Sequence, residues 1–382
     1  MKGIWALRNK KVLKVFLPLS LITVAVLVTT IILAPHFQAN ASGGVTNSVG
    51  TPRFYIVPKN PTTSALLMHA RSGSVNTIPF WTSSFTYNGT TYPFQMVGTD
   101  PSAGSQTTTV PVVLVPLKIT FSNGTTLNGS TKVVSTERSP IFQAAQFLSG
   151  NTQYGDAIQR AEFWSIVNTA NNSNYHVLLG TPTVHAPLTL KVPASKGKVV
   201  KSKTGKKVGE IDVNWFDAQI QKAISKDKLS PQTLPIFLSY NTFLYQGSPS
   251  QCCILGYHNA LGTYGTSSTI QTYAYAAYSD PGLFGTTPIE DIDALSHEIS
   301  EWYNDPFTDN TVPNWSVPSE PQYGCSNVLE TGDPLVGTAF TVNGYHPQDE
   351  AFLSWFAHQS PSIGYDGRYT YLGTFTTVAP SC

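Results

Sequence analysis

The 382-residue sequence predicts an α+β fold: a β-rich N-terminal lobe, then a lobe that sets one long helix against a mixed sheet. Three observations predict it. Short β-prone runs broken by turn signals fill much of residues 53–195. Three further runs, Leu234–Tyr245, Ile254–Ala260 and Thr272–Ser279, follow in close order. Directly after them, residues 288–305 carry a helical apolar period with a marked start and stop.

Taken in order, the chain opens with Lys2, Arg8, Lys10, Lys11 and Lys14, then an apolar run from Val15 to Pro35. Ala39-Asn40-Ala41 has the small-x-small form of a signal-peptidase site. The run is about long enough to span a bilayer. Residues 1–41 therefore read as a signal peptide or as a retained N-terminal membrane anchor, and either way the body is exported to the cell envelope or beyond. Residues 42–52 are rich in Gly, Ser, Thr and Asn and read as a tether. Only 12% of residues are charged and the net charge is +1, a balance that offers no electrostatic footprint for nucleic acid. Contact with a membrane is expected only through the N-terminal segment.

In the first lobe, residues 53–195, a hairpin is expected at Ser84–Tyr92 around Asn88-Gly89, and an extended run at Val110–Phe121 ends at Asn123-Gly124. Ile141–Leu148 and Ala157–Asn168 read as helices, with Asp156 and Arg160 spaced for an i,i+4 pair. Strands are expected to return at Tyr175–Leu179 and Val184–Val192. This half carries no chemical constellation and reads as scaffold or binding surface. Seven lysines lie between Lys191 and Lys207, so residues 196–208 read as a solvated hairpin or loop joining the lobes.

The second lobe, residues 209–382, begins with an extended Glu210–Phe216 and a short amphipathic helix at Asp217–Lys226. The three strands follow, the last alternating Tyr with Ala. His258 reads as a hydrogen-bonded strand histidine, and Phe352, Trp355 and Phe356 as core. Four cysteines, Cys252, Cys253, Cys325 and Cys382, can form two disulfides in an oxidising compartment. A bond between adjacent Cys252 and Cys253 would be strained, so each is expected to reach Cys325 or Cys382.

The helix at 288–305 is the most informative stretch. Thr287 stands at the N-cap, Pro288 at the first helical position and Glu290 at the third, and Pro306 ends the helix. At about 100° per residue, Ile292, Leu295, Ile299 and Trp302 share one face. Glu290, Asp293, His297, Glu301 and Asp305 share the other, which the blandest reading leaves as a solvated charged surface. His297 and Glu301 are one turn apart and can reach a single point, with Glu298 beside it.

Ser296-His297-Glu298-Ile299-Ser300-Glu301, followed by Asp305-Pro306 and Glu330-Thr331-Gly332-Asp333, resembles the zincin superfamily of metallopeptidases, whose helix carries His-Glu-x-x-His. The segment looks closer to a group with His-Glu-x-x-Glu, an Asp-Pro and a downstream Glu-x-x-Asp. Plant exordium-type (phosphate-induced) secreted proteins have a comparable arrangement. The resemblance covers about residues 210–345 and its specific part is short.

The resemblance implies a zincin-like second lobe with His297 and Glu301 as metal ligands. The third ligand comes from downstream: Glu330 first, then Asp333, then His346. A metzincin would place a histidine where Phe307 stands, so the gluzincin plan fits better. Glu298 is implied as general base, taking a proton from water attacking a carbonyl. Tyr345, Tyr323 and His346 are candidates to donate to the oxyanion. Glu301 in place of a second histidine adds negative charge, which weakens the Lewis acid and shifts preference from Zn2+ towards Mn2+ or Ca2+. The expected activity is metal-dependent hydrolysis of a peptide or amide bond outside the cell, in a peptide or cell-wall substrate. A non-catalytic zincin-like envelope protein and a wall-polysaccharide-binding module are the alternatives.

Overall fold

A computed structural model describes residues 75–320 and 324–382; the expected leader, the tether, the start of the first lobe and Tyr323 lie outside them. Strands β1 (Phe80–Tyr87) and β2 (Thr90–Val97) form the expected antiparallel hairpin. Asn88 (φ 47°) and Gly89 (φ 79°) both adopt the left-handed conformation that a two-residue turn requires. The extended run divides into β3 (Thr107–Val110) and β4 (Val112–Phe121), and β5 (Thr126–Asn128) returns against β4 after the Asn123-Gly124 turn.

A short helix, α1 (Val133–Glu137), precedes the first departure from expectation. Residues 141–148 are not helical: β6 (Ala145–Phe147) pairs with β7 (Gly150–Thr152). Ala145 and Phe147 are buried with Gln146 exposed between them, the alternation of a strand. The next expected helix breaks at Phe163 into α2 (Tyr154–Glu162) and α3 (Trp164–Val167). Asp156 and Arg160 go to other partners. Asp156 accepts from Thr152 and the Val177 amide, and Arg160 donates to the carbonyls of Ser149 and Tyr175.

Strands β8 (His176–Leu179), β9 (Thr183–Val184) and β10 (Leu188–Val192) follow. The lysine-rich stretch is a hairpin of β11 (Gly197–Lys201) and β12 (Lys207–Asp212). Helix α4 (Val213–Asp227) starts four residues earlier than expected because Asp212 caps it, accepting the Trp215 amide at 2.9 Å. Then come β13 (Leu234–Tyr240), β14 (Thr242–Tyr245), β15 (Cys252–Ile254), β16 (Gly256–Leu261) and β17 (Gln271–Tyr278).

The central sheet runs β10-β4-β13-β17-β16, with β5 and β9 also on β4. Strands β10, β4, β13 and β17 are mutually parallel, and β16 lies antiparallel on β17. Strand β13, Leu-Pro-Ile-Phe-Leu-Ser-Tyr, is buried over its first six residues, as a central parallel strand covered on both faces must be. Pro116 stands where β4 passes from β13 to β10, so its missing donor falls at a changeover of partners. Because β4 and β10 come from residues 53–195 while β13, β17 and β16 come from 209–382, the two expected lobes share one sheet. The described residues belong to a single compact unit.

Alternation along β17 sorts the two faces. Tyr273 and Tyr275 pack with Phe216 and Ile220 of α4 on one side. Ala276 packs with Leu295, Ile299 and Trp302 on the other. Those three belong to α5 (Asp293–Asn304), which crosses β17 and β16 and also meets α2. Opposite the alanines, β16 places Gly256 against Ala276 and His258 against Ala274. Small residues on this face let the helix approach closely; a Cβ on Gly256 would come 2.6 Å from Cγ of Glu298.

Helix α5 ends ahead of Pro306 as expected but starts five residues late. Thr287 and Pro288 do not cap it. Asp291 sits at φ 43° and its backbone bridges Ser279, which draws the chain out of helical geometry. All twelve residues of α5 are buried, so its polar face is not a solvated surface. Strands β18 (Thr311–Trp315) and β19 (Ser326–Val328) and helix α6 (Leu353–Phe356) complete the chain, with Phe352, Trp355 and Phe356 in the core as expected.

The disulfides differ from expectation. Cys325 pairs with Cys382 across a Cα separation of 5.9 Å, within the ordinary disulfide range. That leaves Cys252 and Cys253, which bond to each other across a cis peptide. Among the described residues no helix is long and apolar enough to cross a membrane.

Candidate metal centre

His297 and Glu301 meet as their spacing on α5 predicts. Nε2 of His297 lies 3.0 Å from Oε1 of Glu301, and 3.7 Å from Oδ1 of Asp333. Donors around a tetrahedral ion with ligand bonds of about 2.0–2.1 Å stand roughly 3.3 Å apart, so the two separations bracket that edge. The tautomer of His297 follows from its neighbours. Gln348 donates through its amide nitrogen to the Gly332 carbonyl at 2.7 Å, so its Oε1, 3.2 Å from His297 Nδ1, is the acceptor. Nδ1 therefore carries the hydrogen and Nε2 is left as the ligating nitrogen.

His258 arrives from β16 in the same manner. Its Nε2 donates to the Asp305 carbonyl at 3.1 Å, which leaves Nδ1 without a hydrogen. Nδ1 lies 3.3 Å from Oε2 of Glu298 and 3.7 Å from Oε2 of Glu301. His258, Glu301 and Glu330 thus form one set of donor atoms within 4.8 Å of one another, and His297, Glu301 and Asp333 form a second. His258, expected as an ordinary hydrogen-bonded strand histidine, thus stands in a donor group. Its alternation with Gly256 in Gly-Tyr-His, on a face that must admit a helix, was the available signal.

Burial governs the electrostatics. Side-chain exposure is 0% for His297, 1% for Glu298, 2% for His258 and 3% for Glu301, with Asp333 the most open at 13%. Burial pushes the Glu298 carboxyl well above its ordinary range, and the charges of Glu301 and Asp333 push it further. Glu330 moves the same way, first through burial and then through Glu301 and Asp333. Glu301 is also buried, yet protonated His297, and then protonated His258, outweigh that and hold it below its usual range; in the neutral, ligating tautomers a bound cation would supply that charge instead. Glu330 shares a hydrogen bond with Glu301 through one oxygen while its Oε1 has no partner, and Oε1 of Glu298 has none either. Buried, partnerless carboxylate oxygens beside ligating nitrogens are the donor set a cation satisfies, so these residues fit a divalent ion.

The remaining expected residues fall differently. Glu330, expected third beside His297, groups with His258, and Asp333 takes the place beside His297. His346 belongs to another cluster, with Nδ1 2.8 Å from Oδ2 of Asp291 and 3.2 Å from Oε1 of Glu290. Tyr345 donates its hydroxyl to the Ser135 carbonyl at 2.8 Å, away from the His297 group. Neither is placed to ligate with His297 or to serve an oxyanion there. Gln348 is a residue the sequence reading missed; nothing in its surroundings in the chain marks it.

No family model, curated protein or solved structure matches this chain.

Proposed function

We propose that this protein is an exported metal-dependent hydrolase of peptide or amide bonds, of zincin-like design, with Zn2+ as first choice of ion and Mn2+ or Ca2+ as alternatives. The observation that carries this reading is the His297–Glu301–Asp333 group, buried on α5 with Glu298 one residue along. His297, Glu301 and Asp333 would hold the ion. When bound, it supplies a Lewis acid that polarises a carbonyl and makes a water easier to deprotonate. Glu298, once the charge of the ion offsets the burial and the neighbouring carboxylates that raise its carboxyl, would accept that proton and pass it to the leaving amine. Gln348 keeps the His297 ring in the ligating tautomer, and the Gly332 amide fixes Glu301 by donating to Oε1 at 3.1 Å.

A second reading is favoured by the depth of the site. Structural metal centres are closed, whereas catalytic ones keep a position open to substrate. Here only Asp333 approaches solvent. A structural ion in a cell-envelope protein is therefore the rival.

Metal analysis together with hydrolysis of a mixed peptide library separates the readings. The hydrolase reading expects bound metal in the wild type and in Glu298→Gln, with hydrolysis in the wild type alone. Metal in both proteins with hydrolysis in neither supports the structural ion, and no metal in the wild type removes both.

A further inference from the structure

The two donor sets share Glu301 alone. Its oxygens point to opposite partners: Oε1 lies 3.0 Å from Nε2 of His297, and Oε2 lies 3.7 Å from Nδ1 of His258. Each imidazole has its other nitrogen committed as a donor, His297 to Gln348 and His258 to the Asp305 carbonyl. In the neutral tautomers that bind metal, Nε2 of His297 and Nδ1 of His258 each turn a lone pair towards one oxygen of Glu301, so a cation can take at each place the position a proton would otherwise hold. Donors around one tetrahedral ion lie about 3.3 Å apart, so a single ion serves one set and not both. Glu330, 2% exposed and with its Oε1 partnerless, belongs to the His258 set.

We propose that the site holds two divalent cations bridged by the Glu301 carboxylate, one on His297 and Asp333, the other on His258 and Glu330. It rests on the metal centre proposed above and adds a second ion to it. Two-metal sites place their ions about 3.5–4 Å apart, a spacing that a carboxylate accepting one ion on each oxygen can bridge. Glu298, whose Oε2 faces His258, then stands beside the second ion rather than the first. The pair would act on a substrate that presents two oxygens, one on each ion.

The test is stoichiometry on the full chain. After equilibration with Zn2+ and removal of excess, the wild type should retain two ions per chain, and His258→Ala and His297→Ala one each. One ion in the wild type overturns the pair while leaving the single-ion reading intact; none overturns both. Two ions retained by His258→Ala would remove His258 from the site. Because a variant can fail to fold, the wild type loaded with two equivalents of Mn2+ gives an independent reading. An exchange-coupled spin-resonance spectrum is expected, and the six-line signal of isolated Mn2+ alone overturns the proposal.

Discussion

Gly332 lies so close to His297 that a Cβ built on it would come 2.4 Å from Nδ1. No neighbouring flexible chain end can give way, since the contact is with the imidazole ring itself. Gly332→Ala should therefore push the ring off the Gln348 acceptor and out of line with Glu301 and Asp333. Disturbing a neighbour that orients a metal-bound histidine costs roughly 10–100-fold in affinity. A Zn2+ titration of the alanine variant that matches the wild type would show that His297 does not ligate.

Glu298→Gln keeps the shape of the side chain but removes the ability to accept a proton. Loss of a general base costs about 10²–10⁴-fold in rate. The expected result is hydrolysis reduced by at least the lower figure, with bound metal unchanged. Equal turnover in the variant would exclude Glu298 as the base.

Glu162 offers a pH test remote from the metal centre. Burial lifts its carboxyl from about 4.5 to about 8, although one oxygen accepts the Leu353 amide. The folded state thus holds a proton that the unfolded chain releases above about pH 4.5. Its contribution is complete below that value and is lost as pH rises towards 8, at up to about 1.4 kcal/mol per pH unit. Denaturant titrations between pH 5 and 8 should show this fall in the wild type and a flatter profile in Glu162→Gln. Parallel profiles would mean that Glu162 titrates normally.

The Cys325–Cys382 bond closes a loop of sequence separation 57. Chain-entropy arguments give a loop of that length about 4 kcal/mol, with measured values commonly about 2–4. Replacing both cysteines by serine should lower unfolding free energy by that range without changing metal content. A loss of metal would instead tie the bond to the shape of the site.

Local signals in the sequence determined the elements whose partners lie within a turn or a hairpin. Asn88-Gly89 dictated the first hairpin, because few residues other than these accept two successive positive φ angles. Pro306 set the end of α5, and the four-residue spacing of His297 and Glu301 placed both on one donor group. Covalent geometry decides such neighbours wherever the segment packs. Tertiary structure alone decided the rest. His258 reaches Glu298 from forty residues away because β16 pairs with β17 in a register that turns Gly256 and His258 towards the helix. A one-residue slip would point His258 to the opposite face. The same pairing of distant strands merged two expected lobes into one sheet, put Asp333 rather than Glu330 beside His297, and let a bridge between Ser279 and Asp291 override the capping residues ahead of α5. Each of these outcomes depends on which distant backbone supplies the hydrogen bond, and that choice is made by the packed chain as a whole.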